Sequence, residues 1–169
     1  MNSSFEQLLN VQKKSMTTSL TTFVSLFAAG VLLLLAKHRI GWFFLALSVA
    51  AGCLLYLKTQ KFNGEIAKAG GSDVLNRQFG EAGTLHAERF GLTITRDFAV
   101  CERPSLKVYP LKEMQKFEVG LAGDVQKALF LTDFNGERHK IAETNKGDGS
   151  QEEFDRVYEF VCNYFAERK

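Results

Sequence analysis

The sequence of 169 residues predicts an α+β membrane protein, with an N-terminal two-helix transmembrane hairpin, an antiparallel β-barrel or sheet, and a C-terminal amphipathic helix. Three observations predict this fold class. Two long apolar runs, residues 17–36 and 40–57, follow one another near the N-terminus. From residue 82 apolar and polar residues alternate with the period of a strand, and the last segment repeats apolar residues at helical spacing.

Each apolar run has about the 20 residues that an α-helix needs to cross a hydrocarbon core of about 30 Å. The alternatives are a secretory signal peptide in the first run and a buried helix pair of a soluble protein. Signal peptides have a shorter apolar region and a cleavage site, whereas here a second run follows at once. Neither run has a polar stripe broad enough to face water. We therefore expect a transmembrane hairpin at residues 17–57, preceded by a cytoplasmic or interfacial segment at 1–16.

Basic residues predict the orientation of the hairpin. Five lysines flank its two outer ends and two basic residues lie in its loop: Lys13, Lys14, Lys58, Lys61 and Lys68, against Lys37 and Arg39. Because loops rich in Lys and Arg stay on the cytoplasmic side, we expect a multi-pass protein of the cell membrane with both termini and the soluble domain in the cytoplasm.

Small residues recur at four-residue spacing within the two runs. Such faces allow helix backbones to approach closely, so they can join the two helices or two hairpins of a homo-oligomer. The pairs are Ser25 with Ala29, Ala46 with Ala50, and Ser48 with Gly52.

The sequence of residues 58–81 predicts a helical connector. Ser72 and Asp73 are typical N-cap residues for a short helix there, and Gly80 and Gly83 end it. The connector has few apolar residues, so we expect it to lie along the membrane surface or against the following domain.

Residues 82–169 predict a soluble domain of about six short strands and one helix. The strands are expected at Leu92–Thr95, Phe98–Val100, Leu106–Tyr109, Gln115–Val119, Val125–Thr132 and Glu137–Ala142. The turn Asp133-Phe134-Asn135-Gly136 joins the last two. A helix follows from about Gln151 to Glu167, with Ser150 and Glu153 as a capping box and an apolar face that we expect to pack on the sheet.

Charge and cysteine content exclude several function classes. From Lys58 onward 17 Lys and Arg stand against 18 Asp and Glu, so no nucleic-acid partner is expected. The three cysteines, Cys53, Cys101 and Cys162, show no disulfide or metal-ligand spacing, and the three histidines are scattered. We expect no metal site and no cofactor.

Three segments of the soluble domain carry a resemblance to a family: Phe90–Val100, Val108–Met114 and Asp133–Gly136. They are similar to the strand pair, the corner and the hairpin of bacterial membrane-anchored pleckstrin-homology-like (PH-like) proteins. The resemblance covers residues 82–169, and the two spans before it also fit.

The resemblance implies a PH-like domain that acts as a membrane-anchored, non-enzymatic interaction or assembly module, with no catalytic residues to carry over. Arg96 and Arg103 are offset by Asp97 and Glu102 in the loops where some PH-like domains bind lipid headgroups, so phosphoinositide-type binding is not expected. Peptide recognition along a sheet edge and self-association stay open. Besides the lipid bilayer, the expected partner is a protein or a second copy of the chain.

The alternative function is an enzyme or enzyme subunit with a site near His86, Glu137 and His139. Glu137 and His139 are two residues apart and so share one face of a strand, which a hydrolytic or metal site could use. The glycines of residues 146–150 also invite a phosphate-loop reading, but the segment lacks the GK[ST] ending, and we expect a linker there.

Overall fold

A computed structural model describes residues 5–122, 126–145 and 147–167 of the chain. The predicted segment 1–16 is therefore described from Phe5 onward, and the predicted start of a strand at Val125 lies outside the described residues. The chain divides into two compact units, Met1–Gly64 and Glu65–Lys169. Of the predicted connector at residues 58–81, residues 65–81 fall in the second unit.

Two long helices dominate the first unit, α1 at Phe5–Leu35 and α2 at Gly41–Lys68. The stretches Leu8–Leu35 and Gly41–Lys68 are long and apolar enough to cross a membrane, and only 6% and 11% of their apolar windows are buried. Both helices continue beyond the predicted spans into polar sequence, because those flanks contain no proline that would end them.

The two helices pack through glycines. A Cβ added to Gly41 would lie 2.7 Å from the Gly30 carbonyl oxygen, so the backbones approach as closely as two glycines allow. Ser48 is fully buried between the helices, which fits the predicted pair Ser48 and Gly52. Of the other predicted small residues, Ala29 is half-buried, whereas Ser25, Ala46 and Ala50 are exposed and face outward. Spacing predicts that a small-residue face exists, but not which face meets the partner helix.

The second unit has two antiparallel sheets and no closed barrel among the described residues. The first sheet has the order β1-β2-β3-β4 and the second the order β5-β6-β7. The strands are β1 Leu85–Ala87, β2 Leu92–Ile94, β3 Phe98–Cys101, β4 Lys107–Pro110, β5 Met114–Ala122, β6 Gln126–Asp133 and β7 Arg138–Asn145. A 3₁₀ turn at Leu111–Glu113 separates β4 from β5, so the chain changes sheet there instead of continuing one ladder. The barrel form of the prediction is therefore wrong, and the sheet form holds.

Helix α4, Gln151–Ala166, covers the core between the sheets. Phe154, Val157 and Val161 are buried in one cluster with residues of both sheets, as the helical periodicity predicts. Each buried side chain of this size stabilises the fold by about 1.5–3 kcal/mol relative to exposure.

Helix α3, Ser72–Phe79, lies on the other face of the first sheet. The Phe79 ring contacts the His86 ring with centroids 5.9 Å apart, and Leu75 is fully buried. The predicted N-cap at Ser72 and Asp73 is wrong, because the helix begins at Ser72 and Gly71 is the N-cap with no side-chain cap bond. Gly71 has φ 113°, a backbone conformation that glycine adopts without strain.

Candidate functional site

A cleft of about 430 Å³ opens between the two sheets of the second unit. Three cationic side chains from three different elements line it: Arg89 from the β1–β2 turn, Arg103 from the β3–β4 connection and Lys140 from β7. Phe90 and Cys101 contribute to its apolar lining. Cations that converge from separate elements on one concave space can hold a negatively charged ligand.

Asp148 organises one wall of the cleft. Its carboxylate accepts hydrogen bonds from the backbone N–H of Asn145 at 3.2 Å and of Ser150 at 2.8 Å, and from the Ser150 hydroxyl at 2.5 Å. These bonds lower the pKa of Asp148, with the Ser150 hydroxyl as the largest cause. The predicted capping box of Ser150 with Glu153 is wrong, because the Ser150 hydroxyl donates to Asp148 and makes no bond at the start of α4.

The same bonds argue against a phosphate loop at residues 146–150. Lys146 of this segment lies outside the described residues. A phosphate would need free backbone N–H groups, and Asp148 already accepts those of Asn145 and Ser150. The Asp148 carboxylate therefore occupies the N–H groups that a bound phosphate would need.

Two arginines also line the cleft. Arg89 donates from Nη1 to the Asp148 carbonyl oxygen at 3.0 Å, which joins the β1–β2 turn to the loop before α4. The aliphatic stem of Arg103 lies against Gly91, where an added Cβ would come within 3.2 Å of Arg103 Cγ. Gly91 also has φ 57°, so both its backbone and its missing side chain give Arg103 its place.

Arg103 differs from the other two cations in having no hydrogen bond or ion pair with any of the residues that the structure describes. Its charge acts on the neighbouring Glu102, whose pKa is raised mainly by burial and lowered in part by Arg103. Lys140 instead forms an ion pair with Glu143 at 2.5 Å. Lys140 and Glu143 are three residues apart on β7. The β6–β7 ladder has a register shift at Leu129/Phe130, opposite the segment between them.

The outer edge of β7 is occupied at two points. The N–H of Asn145 donates to Asp148, and the Ile141 carbonyl accepts from the Cys101 thiol at 3.9 Å. These two contacts join β7 to the loop before α4 and to β3. Burial raises the pKa of Cys101 to about 12, so its thiol stays protonated at neutral pH and is a poor nucleophile.

The residues of the enzyme alternative do not come together as one site. His139 lies beside Glu137 on the β6–β7 hairpin, with Nδ1 at 3.8 Å from the carboxylate. His86 instead contacts Phe79 and Thr93 on the face that α3 covers. His139 stacks on Tyr109, whose ring belongs to the core on the opposite face of that sheet.

Asp133 takes the place that His86 was expected to fill. Asp133, Glu137 and His139 present ligand atoms that all lie within 4.8 Å of one another, a spacing that a metal ion could use. The two carboxylates face different nitrogens of the ring, with Asp133 at 3.7 Å from Nε2. Asp133 also accepts the N–H groups of Asn135 and Glu137, the latter being the largest cause of its lowered pKa. The contacts among Asp133, Glu137 and His139 are best explained as contacts that stabilise the β6–β7 hairpin.

Sequence reasoning missed the cleft. It singled out Arg96 and Arg103, yet Arg96 is exposed in the β2–β3 turn and does not line the cleft. Arg89 and Lys140 are distant from Arg103 in sequence, and no spacing signal connects them. Comparison of the chain with protein-family models, with curated proteins and with solved structures gave no match.

Proposed function

We propose that this chain is a membrane-anchored, non-enzymatic interaction or assembly module that presents a PH-like domain at the cytoplasmic face of the cell membrane. The cleft lined by Arg89, Arg103 and Lys140 carries the proposal, as a recognition surface. Its partner is a protein or a second copy of the chain, and it uses no cofactor and binds no nucleic acid.

The geometry of the helical hairpin supports membrane anchoring. Lys58 Nζ donates to Ser15 Oγ at 2.8 Å, so these residues lie level at one end of the hairpin. From there to the loop at residues 36–40 each helix runs for roughly 20 residues, or about 30 Å, which matches a hydrocarbon core.

Four threonine hydroxyls of α1 have hydrogen-bond partners within the helix. Thr17, Thr18, Thr21 and Thr22 each donate to the backbone carbonyl four residues earlier, at 2.9–3.0 Å. An exposed polar group without a partner would be costly in lipid, and this bonding removes that cost.

The basic residues support the orientation. Lys13, Lys14, Lys58 and Lys61 cluster at the end of the hairpin that Ser15 and Lys58 define, whereas Lys37 and Arg39 lie at its loop. The excess of positive charge at this end supports the proposal that both termini lie in the cytoplasm. The order of the second unit, with short antiparallel strands followed by one amphipathic helix, supports the PH-like assignment.

Crosslinking in intact cells tests the proposal. A photoreactive residue at Ser105, which is exposed beside the cleft, is compared with one at Asn135, an exposed residue of the β6–β7 hairpin. We expect one defined protein adduct from position 105 and none of that mass from position 135. The mass distinguishes a second copy from another protein. The same adducts from both positions, or none from either while the chain is folded and inserted, would contradict the proposal.

A further inference from the structure

We infer that the cleft binds an acidic side chain of a protein partner, with its carboxylate held between the guanidinium groups of Arg103 and Arg89. This inference rests on the proposed function, because it names the chemistry of the partner at the same surface.

The state of the three cations selects Arg103 as the anchor. The charge of Lys140 is paired with that of Glu143, and Arg89 donates one N–H group to the Asp148 carbonyl oxygen. Arg103 keeps all its N–H groups free of described partners, and its exposed side chain lies with its stem against Gly91. A guanidinium that is positioned but unpaired suits the planar, two-oxygen geometry of a carboxylate.

The acidic residues of the cleft limit how much negative charge it accepts. Glu143 and Asp148 line it together with the three cations, so its formal charge is small and positive. A polyphosphorylated ligand would bring several negative charges near these two carboxylates. A single carboxylate is balanced by Arg103 alone, and this favours an acidic side chain over a polyanionic headgroup.

The lining also specifies what stands next to the carboxylate. Phe90, Ile141 and Ala142 line the cleft, so apolar groups of the ligand have a surface to cover. The expected ligand is therefore a segment in which an acidic residue has apolar neighbours.

A pair of peptides tests the inference with the full chain in nanodiscs of phosphatidylcholine. The probes are N-acetylated, C-amidated tripeptides, leucine–glutamate–leucine and leucine–glutamine–leucine, which differ in one charge. Binding is followed through the arginine Nε–Hε NMR signals. We expect the glutamate peptide to bind at least about tenfold more tightly, because a hydrogen bond to a charged group is worth that much. Arg103→Gln should abolish this preference, and the control Arg96→Gln should keep it.

Glu143→Gln provides a second variant should Arg103→Gln fail to fold. It frees Lys140, so the glutamate peptide should bind severalfold more tightly than to the parent chain. Equal affinity for the two peptides, no saturable binding of either, or an unchanged preference in Arg103→Gln would each overturn the inference. Monomeric dihexanoyl phosphatidylglycerol provides a further test. If it binds saturably at Arg103 but displaces neither peptide, the inference is overturned in favour of a lipid headgroup. If crosslinking captures a partner at position 105 while the peptides bind equally, the interaction module stands and the carboxylate inference falls.

Discussion

Replacing Gln78 by alanine tests how helix α3 is attached to the first sheet. Gln78 is buried, and its side-chain amide donates to the Asp97 carboxylate at 2.5 Å and accepts from the Thr95 hydroxyl at 2.8 Å. The backbone carbonyl of Gln78 accepts from Thr84, and alanine keeps that bond. The substitution therefore removes two side-chain hydrogen bonds between α3 and the β2–β3 hairpin.

The expected cost follows from the environment of each bond. A hydrogen bond to a charged group contributes about 1.5–3 kcal/mol, but Asp97 is exposed and regains water, so the lower limit applies. The bond to Thr95 contributes about 0.5–1 kcal/mol, since its hydroxyl retains the Phe98 carbonyl as an acceptor at 3.2 Å. Gln78→Ala should therefore destabilise the docking of α3 by about 2 kcal/mol.

Native-state hydrogen exchange of the full chain in nanodiscs measures this cost. A loss of about 2 kcal/mol accelerates exchange of the α3 amides roughly 30-fold, provided that they exchange through undocking. The matched control is Arg77→Ala on the exposed side of the same helix, which should change exchange by less than about threefold. Equal exchange in Gln78→Ala and Arg77→Ala would refute the docking of α3 through Gln78.

Three further predictions concern the hairpin, the core and the cleft wall. Gly41→Ala should destabilise the helical pair by roughly 1–3 kcal/mol in micelles, because its Cβ would meet the backbone of the facing helix, whereas Gly64→Ala, with nothing within 4 Å, should not. Equal thermal unfolding of the two variants would contradict this packing. Val161→Asp should cost more than about 3 kcal/mol by burying an unpaired charge, and an unchanged urea midpoint would show that α4 is not docked. Asp148→Asn should be less stable than the parent chain at pH 7. The lowered pKa of Asp148 contributes stability above its ordinary value of 3.8 that is lost as pH falls through the folded value, so the difference should shrink in acid, and a difference independent of pH would contradict this.

Local sequence patterns predicted most of the secondary structure because they arise from local physics. Alternation around Leu92 and Phe98 marked β2 and β3, and the spacing of Phe154, Val157 and Val161 marked α4 and its buried face. The Asp133–Gly136 turn also appears between β6 and β7, with Gly136 at φ 83°.

Tertiary contacts decided what the patterns did not predict. The hydroxyl of Ser150 could either cap α4 or bond Asp148. The geometry of the loop brings it to Asp148. The described strands form two separate sheets and not a barrel, and the 3₁₀ turn at Leu111–Glu113 lies where the chain passes from β4 to β5. Arg89, Arg103 and Lys140 meet only because the two sheets face each other, so no single segment of sequence carries the signal of the cleft.

Cysteine labelling in intact cells tests most directly whether the chain is anchored with its second unit in the cytoplasm. In a background with Cys53, Cys101 and Cys162 replaced by alanine, single cysteines are placed at His38 in the hairpin loop and at Ser105 beside the cleft. We expect a membrane-impermeant maleimide to label position 38 in intact cells and position 105 only after lysis. Labelling of position 105 from outside, or of neither position before lysis with the chain in the soluble fraction, would contradict it.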